Sequence, residues 1–326
     1  MKAVLFDEFG PPHEVGYCGD VADPGEPGAD EVVVEVDAFP INPADLLTIT
    51  GMYAMKPPLP YTPGAEGTGR IAAMGAEVEG FEIGDRVILL CRENWTQMRK
   101  VQAADVLKVP EGDVAQLAML KVNPATAFLM LKNYVDLRPG DWVIQDAANS
   151  GVGASVIRLA KTIGAKTVNV VRRAELEAPL MAQGAVVVDG EGLADKVAAV
   201  TDGGKVRLAI DAVAGDTCYR VAECLSENGV MVNYGMLSGE PCKIRPDWIV
   251  FKSVTLKGFW LAKELGAMNR AAAEALYAEL GGLINDGSLA VNVEAVYGND
   301  DIKDALAHAG REGRAGKVLV SPNGSI

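Results

Sequence analysis

Apolar and polar residues follow two different rhythms along the chain. Up to about residue 120 the apolar positions form short stretches interrupted by proline and glycine, a pattern that predicts strands at residues 31–36, 69–74 and 85–90. From residue 123 onward, short apolar runs alternate with segments at helical spacing, which is typical of a doubly wound parallel sheet. Its predicted strands are residues 142–147, 167–171, 185–188, 207–212, 230–234 and 255–261.

The same rhythm predicts how the chain is divided. Predicted helices lie at residues 154–163, 216–226 and 264–286, and residues 317–320 form a last predicted strand. We therefore expect an α/β protein in which a parallel-sheet domain, residues 123–264, is inserted into a β-rich domain. The β-rich domain would comprise residues 1–122 and 265–326.

A turn of small residues joins the strand at 142–147 to the following helix. It consists of Asn149, Ser150, Gly151, Val152 and Gly153, and it fits the pattern A-x-x-G-x-x-A better than G-x-G-x-x-G. A strand, a glycine turn and a helix form the setting in which a dinucleotide pyrophosphate meets the N–H groups of a helix N-terminus. The turn is therefore a predicted cofactor site, and the alternative is an ordinary tight connection between strand and helix.

Two arginines end the next predicted strand. Arg172 and Arg173 lie about 20 residues past the glycine turn, where the adenosine ribose is expected in this architecture. A carboxylate there would bind the 2′-hydroxyl of NAD, whereas guanidinium groups suit the 2′-phosphate of NADP. We expect NADPH as the cofactor; the alternative is that both arginines are solvated charges.

Composition excludes several classes of protein. The net charge of −14 argues against a nucleic-acid partner, and the five scattered cysteines predict neither a disulfide framework nor a zinc cluster. No apolar run approaches the roughly 18 residues that a membrane span requires. The first ten residues alternate like a strand and lack the features of a signal or transit peptide, so we expect a cytoplasmic protein.

Several motifs resemble the medium-chain dehydrogenase/reductase superfamily. They are INPAD at 41–45, PGAEG at 63–67, NPATA at 123–127, QDAANSGVG at 145–153, NVVRR at 169–173 and KGFWL at 257–261. Within it the chain most resembles the NADPH-dependent 2-enoyl thioester reductases. The resemblance implies a GroES-like β domain with a Rossmann domain, a homodimer, and reduction of the C=C bond of an enoyl thioester carried on CoA or acyl carrier protein.

The resemblance also bears on zinc. Zinc alcohol dehydrogenases of this superfamily have a cysteine where this chain has Asn42 and a histidine where it has Ala65. Neither residue supplies the thiolate or imidazole that zinc prefers, and Glu66 alone is no zinc site. We expect a zinc-independent reductase with no metal ligands.

The remaining site residues are implied by the family. The resemblance places the active-site tyrosine at Tyr53, where a phenol can donate to the enolate oxygen or protonate Cα; the alternative is a packed loop aromatic. The cofactor-binding residues implied by the family and by the ends of the predicted strands are Asn42, Tyr234, Gly235, Met236, Phe259 and Trp260. Trp260 lies where the family lines the acyl pocket or the nicotinamide site, and the alternative is a core aromatic of the strand.

Other activities of the same fold stay open. A quinone or enone reductase would use the same hydride donor without a thioester, and a non-catalytic NADPH-binding protein would use none of the chemistry. The segment at 91–108 is shorter than in the family, so it leaves the acyl-chain preference undetermined. The apolar strand around residues 254–261 is the expected dimer edge.

Overall fold

The computed structural model describes residues 1–176, 181 and 183–326. They form two compact units, Met1–Val122 with Asn269–Ile326 and Asn123–Met268. The strands are β1 Lys2–Leu5, β2 Tyr17–Asp20, β3 Glu31–Pro40, β4 Thr68–Met74, β5 Arg86–Leu89, β6 Met98–Gln102, β7 Val106–Lys108, β8 Trp142–Gln145, β9 Lys166–Val171, β10 Ala185–Val188, β11 Val206–Asp211, β12 Val230–Asn233, β13 Thr255–Gly258, β14 Val293–Tyr297 and β15 Lys317–Val320. The helices are α1 Pro12–Val15, α2 Pro43–Ile49, α3 Val114–Leu117, α4 Asn123–Asn133, α5 Gly151–Thr162, α6 Leu193–Thr201, α7 Gly215–Glu223, α8 Pro246–Lys252, α9 Leu261–Gly266, α10 Arg270–Asn285 and α11 Ile302–Gly310.

The first unit is built on a sheet with strand order β14-β15-β3-β4-β5-β7, and β6 pairs with β3 off this path. Its central strand, β3, is buried along most of its length because valine, alanine and phenylalanine side chains fill it. The late strand β15 pairs with the end of β3, where Leu319 lies opposite Pro40. Residues from both ends of the chain therefore share one core.

The second unit holds a parallel sheet with strand order β10-β9-β8-β11-β12-β13. The order reverses between β8 and β11, and open sheets of this kind bind ligands beyond the carboxyl ends of the strands at that point. The centre of this sheet is lined by fully buried aliphatic residues such as Ile144, Val168 and Ala209. The packing of these residues fixes the positions of the carboxyl ends of the strands.

Most predicted elements differ from the observed ones only in their bounds, and two differ in kind or number. The single helix predicted at 264–286 is two helices, α9 and α10, because the side chain of Asn269 accepts a hydrogen bond from the N–H of Ala272 and starts a new helix. The strand predicted at 255–261 ends at Gly258, and a helix begins at Leu261. Among the described residues, no helix combines the length and the apolar character needed to cross a membrane.

Candidate functional site

The glycine turn of the second unit caps helix α5. Ser150 is the N-cap residue, and its hydroxyl accepts a hydrogen bond of 3.0 Å from the N–H of Gly153. A Cβ on Gly153 would lie 2.5 Å from the carbonyl oxygen of Ala148, so this position requires glycine for packing inside the turn. We expected the glycines to admit a pyrophosphate; at Gly153 the close neighbour is the protein's own backbone.

The other glycine of the turn faces a polar group. A Cβ on Gly151 would lie 2.6 Å from Nδ2 of Asn123, and this buried nitrogen has no hydrogen-bond partner among the described residues. The first N–H groups of a helix also have no partner within the helix itself. Because both groups donate, the N-terminus of α5 fits an anionic group such as a dinucleotide pyrophosphate.

The predicted residues after β12 lie beside the turn. Tyr234 is hydrogen-bonded with Ser150; burial raises the pKa of its phenol, and this hydrogen bond opposes the shift. Gly235 packs against the backbone of Ala212, where a Cβ would lie 2.6 Å from the carbonyl oxygen. Met236 is exposed. The structure therefore brings the ends of β8 and β12 together at one edge of the sheet.

The predicted residues after β13 are divided between core and surface. Phe259 is buried, and its N–H donates to the carbonyl of Asn233 at 2.9 Å. Its ring lies 6.5 Å from that of Tyr134. Trp260 is half exposed as the N-cap of α9. The side chain of Trp260 is therefore more accessible to a cofactor than that of Phe259.

The two predicted phosphate-binding arginines follow β9. Both Arg172 and Arg173 are exposed, at the same carboxyl edge of the sheet as the glycine turn. Nε of Arg173 lies 3.4 Å from Oε1 of Glu175, an acidic neighbour that sequence analysis did not consider. Exposed pairs of this kind contribute about 0–1 kcal/mol, so Glu175 is a weak competitor for a bound phosphate.

Two carboxyl groups lie under this edge of the sheet. Asp146 is buried, and burial together with the neighbouring Asp211 raises its pKa well above the usual range. The carboxylate of Asp211 accepts from the N–H groups of Val213 and Ala214, at 3.1 and 2.9 Å. Asp146 accepts from the N–H of Ala212 at 2.8 Å through one oxygen, whereas its other oxygen has no hydrogen-bond partner among the described residues. Both carboxyl groups therefore hold the backbone of the loop after β11.

Asp211 also belongs to a group of possible metal ligands. Its carboxylate and the thiols of Cys218 and Cys242 have ligand atoms within 4.8 Å of one another. Burial and Asp211 raise the pKa of both thiols, and metals bind the thiolate form. Both oxygens of the Asp211 carboxylate already accept hydrogen bonds, from the N–H groups of Val213 and Ala214 and from Nδ2 of Asn233, which makes the group poorly suited to a cation.

In the first unit, Asn42 lies at the centre of a buried polar network. Its Nδ2 donates to Glu66 at 2.8 Å, and its Oδ1 accepts from Nζ of Lys317 at 2.5 Å. The second oxygen of Glu66 accepts from the N–H of Val122 at 2.8 Å. The side-chain amide of Asn42 is thus hydrogen-bonded to two buried side chains. Its predicted role was to bind the cofactor.

Burial of this network disfavours the charged forms of its ionisable side chains. Burial raises the pKa of Glu66 to about 7, although Lys317 and Asn42 act against the shift. Burial lowers the pKa of Lys317 to about 8, and that of Lys121 likewise to about 8. An amide, a carboxylate and an ammonium group do not fit a zinc ion, because the set lacks a thiolate or imidazole and already contains a cation.

Tyr53 follows helix α2 and is half buried. Its N–H donates to the carbonyl of Leu47 at 3.0 Å, which fixes the backbone after the helix. Nη2 of Arg92 lies 3.2 Å from its hydroxyl, and the guanidinium carbon lies 5.0 Å from its ring centre. The tyrosine predicted as the proton donor is therefore paired with a cation that sequence analysis did not single out.

Comparison with known proteins places the chain in a family. Residues 28–126 match the model of the alcohol dehydrogenase GroES-like domain, and residues 151–277 match that of the zinc-binding dehydrogenase. A protein of Caenorhabditis elegans named "Enoyl-(acyl-carrier-protein) reductase, mitochondrial" is 33% identical over 297 residues, covering 88% of this chain and 86% of that protein. The chain belongs to the enoyl-(acyl-carrier-protein) reductase family. The expected family and α/β fold class are thereby confirmed.

Solved structures of two kinds resemble this enoyl reductase family member. The Etr1p complex with NADP and crotonyl-CoA has a TM-score of 0.85 at 26% identity, covering 98% of this chain and 99% of that one. Escherichia coli quinone oxidoreductase complexed with NADPH has a TM-score of 0.89, also at 26% identity, covering 99% and 100%. The fold alone is therefore compatible with thioester and quinone reductases.

The expected cytoplasmic location is wrong by this comparison, since the related enoyl reductases are named as mitochondrial proteins. The expectation used the first ten residues, which contain strand β1 of the folded unit. A strand that belongs to the core of an enzyme carries no information about its compartment.

A pH-dependent stability is expected from Glu66. Its folded-state pKa of about 7 lies above the ordinary 4.5, so the folded protein binds more protons between these values and loses stability as pH rises through them. Between pH 5 and 7 this component of the unfolding free energy should fall by about 2 kcal/mol. We expect Glu66→Gln to remove that component in chemical denaturation at pH 5, 6 and 7. The exposed Glu8→Gln should keep it, and an identical pH profile for Glu66→Gln and the native chain would contradict the assignment.

Four residues near the predicted sites were given no role from the sequence: Asn123, Lys121, Arg92 and Lys317. Lys317 had a usable signal, because a lysine opens an otherwise apolar strand. Arg92 had a weaker one, as a charge in the shortened segment at 91–108. Asn123 begins the motif NPATA, but its role, like that of Lys121, follows only from contacts between distant parts of the sequence.

Proposed function

We propose that this protein is an NADPH-dependent reductase of the C=C bond of 2-enoyl thioesters. The observation that carries the proposal is membership of the enoyl-(acyl-carrier-protein) reductase family across 88% of the chain. The donor-rich N-terminus of α5 and the two arginines after β9 support NADPH as the cofactor. Neither group of possible ligands described above, around Asn42 or around Asp211, suits a metal ion that would take part in the reaction.

The reaction divides between cofactor and protein. Bound NADPH supplies the hydride that is added to Cβ of the enoyl group. The electron pair of the C=C bond moves toward the thioester carbonyl, and the resulting enolate oxygen needs a donor. Tyr53 fills that role in the proposal: its hydroxyl stabilises the enolate and then transfers its proton to Cα, leaving a phenolate that water reprotonates. In the second unit, Asn149 to Gly153, Arg172 and Arg173 bind the cofactor phosphates, and Tyr234, Gly235, Met236, Phe259 and Trp260 line the rest of its site.

The test is NADPH oxidation followed by absorbance with three additions: crotonyl-CoA, a quinone, or no acceptor. We expect decay with crotonyl-CoA. A decrease in NADPH absorbance with the quinone alone would replace the proposal by the second candidate, a quinone reductase. The TM-score of 0.89 to the Escherichia coli enzyme favours that candidate. Tight NADPH binding without turnover on either acceptor would instead indicate a non-catalytic binding protein.

The proposed enzyme needs no zinc. The position where zinc relatives have their ligands holds Asn42, Glu66 and the ammonium of Lys317. We expect elemental analysis of freshly purified protein to find no stoichiometric metal, and chelator treatment to leave crotonyl-CoA reduction unchanged. One zinc per chain, lost together with activity on chelation, would overturn this part of the proposal.

We propose a homodimer joined along β13. All four residues of this edge strand are exposed, and the neighbouring helix α8 presents Phe251 and Val250 with 80% and 66% of their surface exposed. An uncovered edge beside an apolar patch favours pairing with a second copy.

Light scattering should give twice the chain mass of 34.3 kDa at micromolar concentration. Phe251→Glu should shift the mass toward one chain, because it buries a charge in the proposed interface. Val200→Glu, a change at another exposed apolar residue of the second unit, should not. A native chain of monomeric mass would end the homodimer proposal.

A further inference from the structure

The contact between Arg92 and Tyr53 has a fixed direction. A guanidinium group has donors and no acceptor, so the phenol oxygen must accept the 3.2 Å hydrogen bond from Nη2. The O–H of Tyr53 must then point away from the guanidinium. The cation also lies 5.0 Å from the ring centre, within the range of a cation–π contact. Arg92 therefore constrains both the ring and its hydroxyl.

The backbone on both sides of Arg92 is held in place. The carbonyl of Cys91 accepts from Nζ of Lys121 at 3.1 Å and from Nδ2 of the fully buried Asn94 at 2.9 Å. The carbonyl of Arg92 itself accepts from Arg99 at 3.2 Å. A loop anchored at this many points presents its side chain in a defined place.

Glu93, the next residue, has a left-handed backbone with φ of 66°. A non-glycine residue in this region is strained and persists where its surroundings require it. Its carboxylate pairs with Arg99 at 3.2 Å, so the anion adjacent in sequence to Arg92 is directed toward a different arginine. The strained turn thus leaves the Arg92 guanidinium beside Tyr53.

We propose that Arg92 is a positioning residue for Tyr53, an inference that rests on the proposed reduction. In the proton transfer the O–H bond of Tyr53 breaks and the Cα–H bond forms. The electron pair stays on the phenolate oxygen, which faces the guanidinium. Arg92 therefore orients the donor before the transfer and stabilises the anion left after it. A charge-assisted hydrogen bond is stronger than a neutral one, so this contact strengthens as the phenolate forms.

The first test is steady-state kinetics with crotonyl-CoA. Arg92→Gln should lower kcat by roughly tenfold to a hundredfold, the factor for losing a hydrogen bond to a charged group, with the KM for crotonyl-CoA and the NADPH affinity nearly unchanged. Arg92→Lys keeps the charge and should recover part of the loss. The control is Arg311→Gln, which removes an exposed positive charge of the same unit and should leave kcat unchanged.

A double-mutant cycle decides whether Arg92 acts through Tyr53. If it does, adding Arg92→Gln to Tyr53→Phe should cost little further activity, because the hydroxyl it acts on is gone. Losses that multiply would show that Arg92 works independently of Tyr53, and would overturn the inference. So would a single Arg92→Gln variant with native kcat.

A measurement without turnover separates this inference from the proposed function. With ring-labelled tyrosine, NMR resolves the ring signals of the tyrosines, and the signals lost in Tyr53→Phe identify Tyr53. The Tyr53 ring signals should shift in Arg92→Gln relative to the native chain, because the guanidinium 5.0 Å from the ring centre is lost, and should stay in place in Arg311→Gln. Unshifted Tyr53 signals in Arg92→Gln would overturn the inference whatever the enzyme reduces. A shift in a protein that fails to reduce crotonyl-CoA would instead leave the contact intact and overturn the proposed function.

Discussion

Tyr53→Phe is expected to lower kcat for crotonyl-CoA reduction by about 10²–10³-fold, the usual effect of removing one preorganised donor to an oxyanion. The substitution keeps the ring and its contact with the Arg92 guanidinium and deletes only the hydroxyl. NADPH affinity and the thermal midpoint should therefore stay close to those of the native chain. Single-turnover kinetics would place the loss in the chemical step.

The matched control is Tyr17→Phe, which removes a hydroxyl that is bonded to Asp7 at 2.9 Å on the same unit. It should retain native turnover. Native turnover in Tyr53→Phe would mean that Tyr53 is a packed aromatic. The proton would then come from water or the cofactor ribose, and the enolate would be stabilised by backbone N–H groups.

The second large effect is expected at the end of β9. Replacing Arg172 and Arg173 together by alanine should weaken NADPH binding by roughly tenfold to a hundredfold, since charge-assisted hydrogen bonds to the 2′-phosphate are lost. NADH lacks that phosphate, so its affinity should be nearly unchanged. Fluorescence titration with both cofactors measures the difference.

Arg138→Ala is the control for this experiment, because it removes an exposed arginine of the second unit that lies near an acidic residue, Asp136. It should leave both affinities unchanged. Unchanged NADPH affinity in the double variant would mean that both arginines are solvated charges. Glu175→Gln offers a finer measurement: freeing Arg173 from its 3.4 Å pair should tighten NADPH binding by a small factor.

The fold could be predicted because hydrophobic periodicity is a local property. The alternation of strands and helices after residue 123 is enough to predict a parallel sheet, since each element carries its own burial pattern. The break between α9 and α10 was missed because alanine, leucine and glutamate favour a helix on both sides of it, while one capping side chain, Asn269, ends the continuity. The average composition of a long segment does not reveal a single capping residue within it.

The candidate site could be predicted only where it is local in sequence. The glycine turn and the paired arginines are each contiguous, and their strand context gives them meaning. The contacts of Arg92 with Tyr53 and of Lys317 with Asn42 span 39 and 275 residues. Such partners are set by how the first unit packs, which neither residue type nor spacing specifies.

The pairing of Lys317 with Asn42 also has a consequence for the order in which the protein is made. The second unit is one continuous stretch, Asn123–Met268, so all of its strands have been synthesised before the first unit is complete. The first unit must wait for β15, which supplies both a partner for β3 and the ammonium for the Asn42–Glu66 pair. On the ribosome, therefore, the nascent chain contains every strand of the parallel sheet while its N-terminal sheet still lacks two strands, β14 and β15, and its buried carboxylate still lacks that counter-charge.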